Sequence, residues 1–378
     1  MTATKKAILF VHRWLGFISG LVVFIISVTG CIYCFQDEIQ DTFYAYRKVE
    51  PQVKPFLLPS EFRKIVLQKY PEGKITSISY LGKERSVLIR FSDNKIVKLL
   101  YFNPYSGELL HAEVFKTSFF PMIKNIHLYL FLPKEIGKAF VGICVIIYVA
   151  IMVTGLILWW PKRKSDRKRS FRIKWGAKWK RVNYDLHNVL GFYVTAIVII
   201  IAVTGLSFSY KWMNNGLYRM ANLGKTFPVE KKKFESDSAS VALYPQANLV
   251  IDQAYEFARK NSPHSNSLFM SLGVNNGAPL SVTAYAEPLY YEHSDNYIFD
   301  KYSGKLLNRM FYEQKSAGLK LNNMNYDIHT GQIAGILGKI INFLSSLISA
   351  TLPVTGLIIY LGKKKKKPVK HKLKYQAD

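Results

Sequence analysis

The 378-residue sequence carries 52 Lys and Arg against 25 Asp and Glu, a formal net charge of +27, and 49% of it is hydrophobic. Two or three soluble domains would suit that length, but four windows contain no Asp, Glu, Lys or Arg: Trp14–Phe35, Ala139–Trp160, Leu186–Tyr210 and Ile340–Gly362. A helix rises about 1.5 Å per residue, so each window is long enough to cross a hydrocarbon core about 30 Å thick, and a wholly soluble protein is excluded. Three cysteines are too few for a disulfide-built scaffold.

Residues 7–36 form the first transmembrane helix. It follows Lys5 and Lys6 as a secretory signal would, but the apolar run is too long, no small-residue cleavage site follows, and Trp14, Phe24, Tyr33 and Phe35 do not suit such a segment. Cys31 and Cys34 near its end form a C-x-x-C with no following His, unlike covalent c-type haem attachment. Two small apolar residues one helical turn apart is preferred to a redox pair, and Cys144 reads as packed filler. Asp37, Glu38 and Asp41 lie just beyond, where solvated charges are preferred to contacts for a cationic ligand.

Residues 37–125 form an outer α+β domain. Pro59 and Ser60 open an amphipathic helix to Tyr70, with Ser60 as N-cap. Strands are predicted at Ile75–Leu81, Ser86–Phe91 and Ile96–Phe102, and the turn Asn103-Pro-Tyr-Ser-Gly107 leads into a last strand, Glu108–Phe115. Residues 126–160 hold His127 and the second transmembrane helix. The loop 161–181 has eleven basic residues against Asp166 alone. A third transmembrane helix at 182–210 precedes a second outer domain, 211–327. There a helix over about Ala247–Lys260 leads to strands at Leu268–Val274, Leu280–Ala286 and Tyr297–Phe299, and then to Asp300-Lys-Tyr-Ser-Gly304. The fourth transmembrane helix falls in 328–362, and the tail 363–378 carries eight Lys.

Short cytoplasmic loops retain Lys and Arg, so loop and tail place both termini inside and both α+β domains outside. The basic runs Lys162–Arg169 and Lys363–Lys367 abut membrane helices, which favours anionic inner-leaflet lipid as their partner and argues against nucleic acid.

Internal similarity organises the chain. His12-Arg-Trp-Leu-Gly-Phe and Val28-Thr29-Gly30 of the first helix match His187-Asn-Val-Leu-Gly-Phe and Val203-Thr204-Gly205 of the third, every pair offset by 175. Ile126-His127, Gly137-Lys138 and Val153-Thr154-Gly155 match Ile328-His329, Gly338-Lys339 and Val354-Thr355-Gly356 at offsets of 201 or 202. Each half is thus helix, outer domain, helix.

These motifs, with Leu156-Ile-Leu-Trp-Trp-Pro161 before the basic loop and a Tyr-Ser-Gly turn in each outer domain, resemble the PepSY-associated transmembrane family over nearly the whole chain. The resemblance implies a four-helix transmembrane bundle with two periplasmic α+β (PepSY-like) domains, a tandem repeat of helix–domain–helix in a bacterial inner (cytoplasmic) membrane. Members include inner-membrane haem proteins that reduce ferric siderophores, so a haem-dependent ferric-siderophore reductase is the activity it implies. PepSY units also occur in protease propeptides. The alternative is therefore a non-enzymatic, membrane-anchored regulator that binds a peptide or protease. A transporter ranks below both, since the helices lack buried carboxylates for an ion-coupled path.

Four of the eight histidines stand at the start of a membrane helix, where ionisable groups are costly and mark function. Neutral imidazole is the usual axial ligand of haem iron, and two from facing helices hold the macrocycle edge-on in a bundle. Zinc would need further ligands. Two b-type haems are expected, one on His12 and His187 near the inner face and one on His127 and His329 near the outer, with Arg13 placed for a haem propionate, or equally as a charge snorkelling to the interface. From His12 to Thr29 is 17 residues, but from His127 to Thr154 is 27, about 40 Å if wholly helical, and Pro133 interrupts the way. His127 is therefore expected at or beyond the outer interface, or on a segment that folds back. His111, His264, His293 and His371 read as surface residues. Electrons would come from a cytoplasmic or membrane donor and reach a ferric siderophore or similar chelate under the outer domains, where Tyr285–Tyr297, with Tyr290 and Tyr291, is a candidate wall. No protein nucleophile is required.

Overall fold

The computed structural model describes residues 2–94, 96–161, 163–164, 167–237 and 247–364. Lys162, Asp166 and tail residues 365–378, with His371, lie outside the described residues. The helices used below are α1 (Ala3–Cys34), α2 (Pro59–Lys69), α3 (Phe119–Tyr129), α4 (Lys134–Trp159), α5 (Trp179–Ser209), α6 (Lys211–Ala221), α7 (Ala247–Asn261), α8 (Ala317–Thr330) and α9 (Gly335–Lys364). The chain divides into two compact units, Met1–Cys31 with Ile126–Val203 and Ile341–Asp378, and Ile32–Asn125 with Thr204–Ile340.

In the first unit, α1, α4, α5 and α9 are each long and apolar enough to cross a membrane. Large apolar side chains such as Ile18 and Leu21 point outward at 65% and 72% exposure, as a hydrocarbon solvent permits and water does not. Inside, Val23, Tyr148, Ile151, Met152, Val194, Val198 and Leu352 pack together. A Cβ on Gly20 would lie 3.3 Å from Cβ of Pro353, so a small residue lets α1 approach α9 closely.

Of the two placements expected for His127, the structure has the segment that folds back, and His329 lies on one as well. The helix α3 that carries His127 stops at Tyr129, Leu130 and Phe131 take positive φ (+53° and +60°), and α4 starts after Pro133. The helix α8 that carries His329 stops at Gly331 (φ +81°), and after one short turn α9 starts at Gly335. This break accounts for the repeated Gly-Lys. A Cβ on Gly137 would stand 2.4 Å from the Tyr129 carbonyl oxygen, and one on Gly338 only 2.1 Å from that of Gly331, so only glycine lets the new helix turn back against the end of the old one.

In the second unit both predicted α+β units are present, and they share a sheet. Strands β1 (Lys74–Tyr80), β2 (Val87–Asp93), β3 (Ile96–Phe102) and β4 (Leu109–Val114) form one antiparallel meander, and β5 (Ser267–Ser271), β6 (Leu280–Tyr285), β7 (Ser294–Phe299) and β8 (Leu306–Met310) form the other. Antiparallel pairing of β1 with β5, from Ser77 opposite Ser271 to Tyr80 opposite Leu268, joins them in the order β4-β3-β2-β1-β5-β6-β7-β8. Phe62 and Val66 of α2 and Ala254 and Ala258 of α7 close a single core with Ile78, Ile89, Leu100, Met270, Val282 and Tyr297.

The Tyr-Ser-Gly turns are copies. The side-chain oxygen of Asn103 accepts from Tyr105 N–H at 2.9 Å and that of Asp300 from Tyr302 N–H at 3.0 Å, and Gly107 and Gly304 sit at φ +73° and +74°. Two expectations are corrected. Ser60 is not the N-cap of α2: that place is held by Leu58, whose N–H donates to Glu61 (2.6 Å), while Ser60 N–H is satisfied by Asp252 of α7 (2.8 Å). Nor are Asp37, Glu38 and Asp41 simply solvated charges. Arg47 pairs with Asp37 (3.0 Å) and Asp41 (2.8 Å), Arg85 also holds Asp41, and Glu38 pairs with buried Lys339 (2.7 Å).

Lys315 gives this unit a pH dependence. Its side chain is buried and donates to the Ser294 carbonyl and hydroxyl, and burial pulls it down from 10.5 to about 8. The folded chain therefore holds this proton less tightly than the unfolded chain, so the group costs most below pH 8 and stability rises between about pH 8 and 10.5. Thermal unfolding followed across that window is expected to show the rise, and Lys315→Met to flatten it; an unchanged slope in the variant would contradict the assignment.

Candidate functional site

Each of the four repeated histidines is seated on a Thr-Gly pair of a neighbouring helix in its own half of the repeat. His12 Nδ1 lies 3.0 Å from Thr154 Oγ1, His127 Nδ1 3.2 Å from Thr29, His187 Nδ1 2.9 Å from Thr355 and His329 Nδ1 3.0 Å from Thr204. The hydroxyls of Thr154, Thr29 and Thr355 donate to carbonyls one turn back, at 2.8–3.1 Å, so each accepts from its imidazole. Nδ1 of His127 also meets the Ile26 carbonyl at 2.9 Å, and a carbonyl can only accept. The proton is thus placed on Nδ1, and Nε2 keeps its lone pair, the form a metal ligand needs.

The glycine beside each threonine makes room for the ring. A Cβ on Gly155, Gly30, Gly356 or Gly205 would lie 3.4, 3.3, 3.2 or 3.1 Å from Cε1 of His12, His127, His187 or His329. The Thr-Gly pairs that end the membrane helices in sequence are therefore beds for imidazoles.

His12 and His187 come together. Their ring centres are 6.3 Å apart and their planes cross at 89°. A typical metal–imidazole bond is about 2.0–2.1 Å and the nitrogen lies roughly 1 Å from its ring centre, so two imidazoles facing across one metal hold their centres about 6 Å apart. The separation of the pair matches that spacing. Both rings line a cavity of about 330 Å³ within the bundle, walled by Phe17, Trp159, Phe192 and Tyr360, a size and lining usual for cofactor sites. Arg13 lines it too. Its Nε is buried with no partner, an arrangement that calls for an anion such as a propionate carboxylate. His187 itself sits in one π-helical turn, Leu186–Leu190, a local widening often found at functional positions. Among the described residues no three His, Cys, Asp or Glu side chains gather to hold a metal.

His127 and His329 have the same seat but belong to different units. The helix of His329 is held at its start: Ser316 Oγ accepts from Leu319 N–H (3.2 Å), and Glu230 accepts from Ser316 N–H (2.7 Å). One turn before His329, Tyr326 packs edge-on to Tyr291 at 5.2 Å, and Tyr291 packs on Tyr285 at 5.4 Å. Tyr291 N–H donates to Asp327 (2.9 Å), and burial, reinforced by the carboxylates of Asp37 and Asp327, holds the Tyr291 phenol well above its usual value. Part of the candidate aromatic wall thus lies against α8. His111 stacks on Tyr46 at 4.1 Å, and His293 lies 4.0 Å from the ring of Tyr312, away from the four seats. Cys31 and Cys34 are free thiols that donate separately into α9 and its approach, to the carbonyls of Phe343 (3.5 Å) and Thr330 (3.1 Å).

One element escaped the repeat search. Asn183-Tyr-Asp-Leu-His187 and Asn325-Tyr-Asp-Ile-His329 are the same five-residue box. In each, the asparagine side chain is buried and donates to the backbone carbonyl of the threonine that seats the histidine, Asn183 to Thr355 at 3.1 Å and Asn325 to Thr204 at 3.2 Å.

Fold and site define a multi-pass membrane protein in which two of the four spanning helices, α1 and α5, and the two helices that precede α4 and α9 carry seated histidines, and one eight-stranded sheet joins two α+β units. The sequence profile of the PepSY-associated TM region matches residues 9–363, and the chain belongs to that family. Among curated proteins no match is found.

Proposed function

We propose that this protein is an integral b-type haem oxidoreductase of the bacterial inner membrane. It passes electrons from a cytoplasmic or membrane donor to a periplasmic ferric complex, a ferric siderophore by family resemblance, and so releases the iron. The observation that carries the reading is the His12–His187 pair, two Nδ1-protonated imidazoles 6.3 Å apart and perpendicular, on a cavity that Arg13, its Nε without a hydrogen-bond partner, also lines.

When bound, a b-type haem supplies an iron that cycles between ferric and ferrous states and carries one electron at a time. His12 and His187 would hold one, with Arg13 offsetting a propionate, and His127 and His329 the second. The Nδ1–H bonds to threonine fix each ring and raise the basicity of its Nε2, and the apolar helices keep water from the cavity. Reduction of the substrate iron weakens its hard-oxygen chelation, so release needs no covalent attack and no catalytic nucleophile. Tyr285 and Tyr291, which pack through Tyr326 onto the helix that carries His329, offer a wall for the chelate.

Detergent-purified protein is expected to show reduced-minus-oxidised b-type bands and about two haems per chain by pyridine haemochrome. Protein without haem would sink this reading and return the chain to a membrane-anchored regulator. The basic loop 161–181 supports both termini being cytoplasmic. Reporter fusions after Arg172 should then read as cytoplasmic and those after Lys232 as exported, and a cytoplasmic signal from the second would refute that orientation.

A further inference from the structure

The four seats are not equivalent, and the difference divides the two halves of the repeat. In the second half the helix that carries the histidine grips the threonine of its neighbour twice. The imidazole of His187 takes the Thr355 hydroxyl (2.9 Å) and the amide of Asn183, four residues earlier, takes the Thr355 carbonyl (3.1 Å). His329 and Asn325 do the same to Thr204, at 3.0 and 3.2 Å. Residues four apart on a helix share a face, so ring and amide reach one threonine together. In the first half the equivalent positions are Ile8, before His12, and Ile123, before His127, whose hydrocarbon side chains can donate nothing. Asn183 and Asn325 are 1% and 3% exposed. A buried amide is kept where its hydrogen bond matters, because an apolar side chain would avoid the cost of desolvating it.

We propose that Asn183 and Asn325 are positioning residues that make His187 and His329 the fixed ligands, leaving His12 and His127 as the exchangeable ligands that yield first to an external one. This rests on the haem reading above. Two short anchors on one threonine fix the distance and the rotation of one helix against the other; the first-half seats lack this amide, and the further bonds there come from the long-stemmed Lys5, to the Trp160 carbonyl (3.3 Å), and from the His127 ring itself, to the Ile26 carbonyl (2.9 Å). The second-half ring is therefore preorganised to hold its metal when the opposite ligand is missing, and the first-half ring is not.

Glycine variants with free imidazole as probe test this in the full-length protein. His12→Gly is expected to keep its haem on His187 as a five-coordinate, high-spin centre and to return to low spin when imidazole is added. His187→Gly is expected to lose that haem, at least about 10-fold in retention through purification. Asn183→Ala in the His12→Gly background is expected to abolish the retention, while Asn183→Gln, which keeps an amide donor, restores part of it. The outer centre reports folding in the same sample, since a variant that keeps its low-spin outer signal has folded. Equal haem retention in His12→Gly and His187→Gly, or retention in His12→Gly that Asn183→Ala does not lower, would overturn the proposal. Wild-type protein devoid of haem would instead overturn the reading beneath it.

Discussion

Removing His12 or His187 is expected to abolish one and the same low-spin centre, and removing both to cost no more than removing either. A low-spin bis-imidazole iron needs both nitrogens at once, and these rings stand 6.3 Å apart at 89°, the spacing of two ligands on one metal. Groups that act as a unit give strongly non-additive effects. His12→Ala, His187→Ala and the double variant should therefore each leave about half of the wild-type low-spin signal in electron paramagnetic resonance, the other half surviving on the second centre. His127→Ala and His329→Ala should remove the complementary half. Losses that add in the inner double variant, or single variants that affect different centres, would show that the two rings do not share a metal.

Enlarging the glycine of a seat is expected to be nearly as damaging as removing the histidine, although no ligand is touched. A Cβ at Gly205 or Gly356 would already press on Cε1 at 3.1 or 3.2 Å, and valine adds two methyl groups on a stiff, β-branched stem. The ring must then leave the threonine, and the Nδ1–H bond and Nε2 direction are lost together. Gly356→Val should remove about half of the bound haem and Gly205→Val the other half, since overpacking of this kind costs about 1–3 kcal/mol and is concentrated on one ligand. Alanine should perturb in the order Gly205, Gly356, Gly30, Gly155, following the distances 3.1, 3.2, 3.3 and 3.4 Å, with the shift in midpoint potential as the readout. Full low-spin haem in both valine variants would mean that the seats do not orient the rings.

Much of this was legible from the sequence because it is written locally. Charge-free windows marked the four helices, period-two runs marked the strands, and register between the halves singled out His12, His127, His187 and His329 from eight histidines. The use of the Thr-Gly pairs was not legible, because each serves a ring about 100 to 170 positions away, and only the packed bundle brings the two together. The fold-back after His127 was one of two alternatives that Pro133 and the 27-residue distance to Thr154 left open, and its turn uses Leu130 and Phe131 at positive φ, residues that give no such signal. Ser60 looked like an N-cap by local rule, but the carboxylate that takes its N–H comes from Asp252, 192 residues on. The Asn-Tyr-Asp box was missed because alignment of the first helix with the third, and the second with the fourth, sets its two copies against unlike partners.

The pairing of β1 with β5 bears on how such a chain could arise and how it could be taken apart. Each four-stranded half alone would present its inner strand as an open edge, a template for whatever strand came next. In the intact chain that edge is matched to its own duplicate, as in a two-fold dimer whose subunits have been spliced end to end through the basic loop. The seats support the comparison, since every ring rests on a threonine from its own half, whereas the His12–His187 pair takes one imidazole from each. A gene cut within residues 161–181 would yield two polypeptides, each with its histidines already bedded and one sticky strand. Co-expressed, they have a route back to the parent by strand addition, and expressed singly, each is a candidate for self-association along that edge.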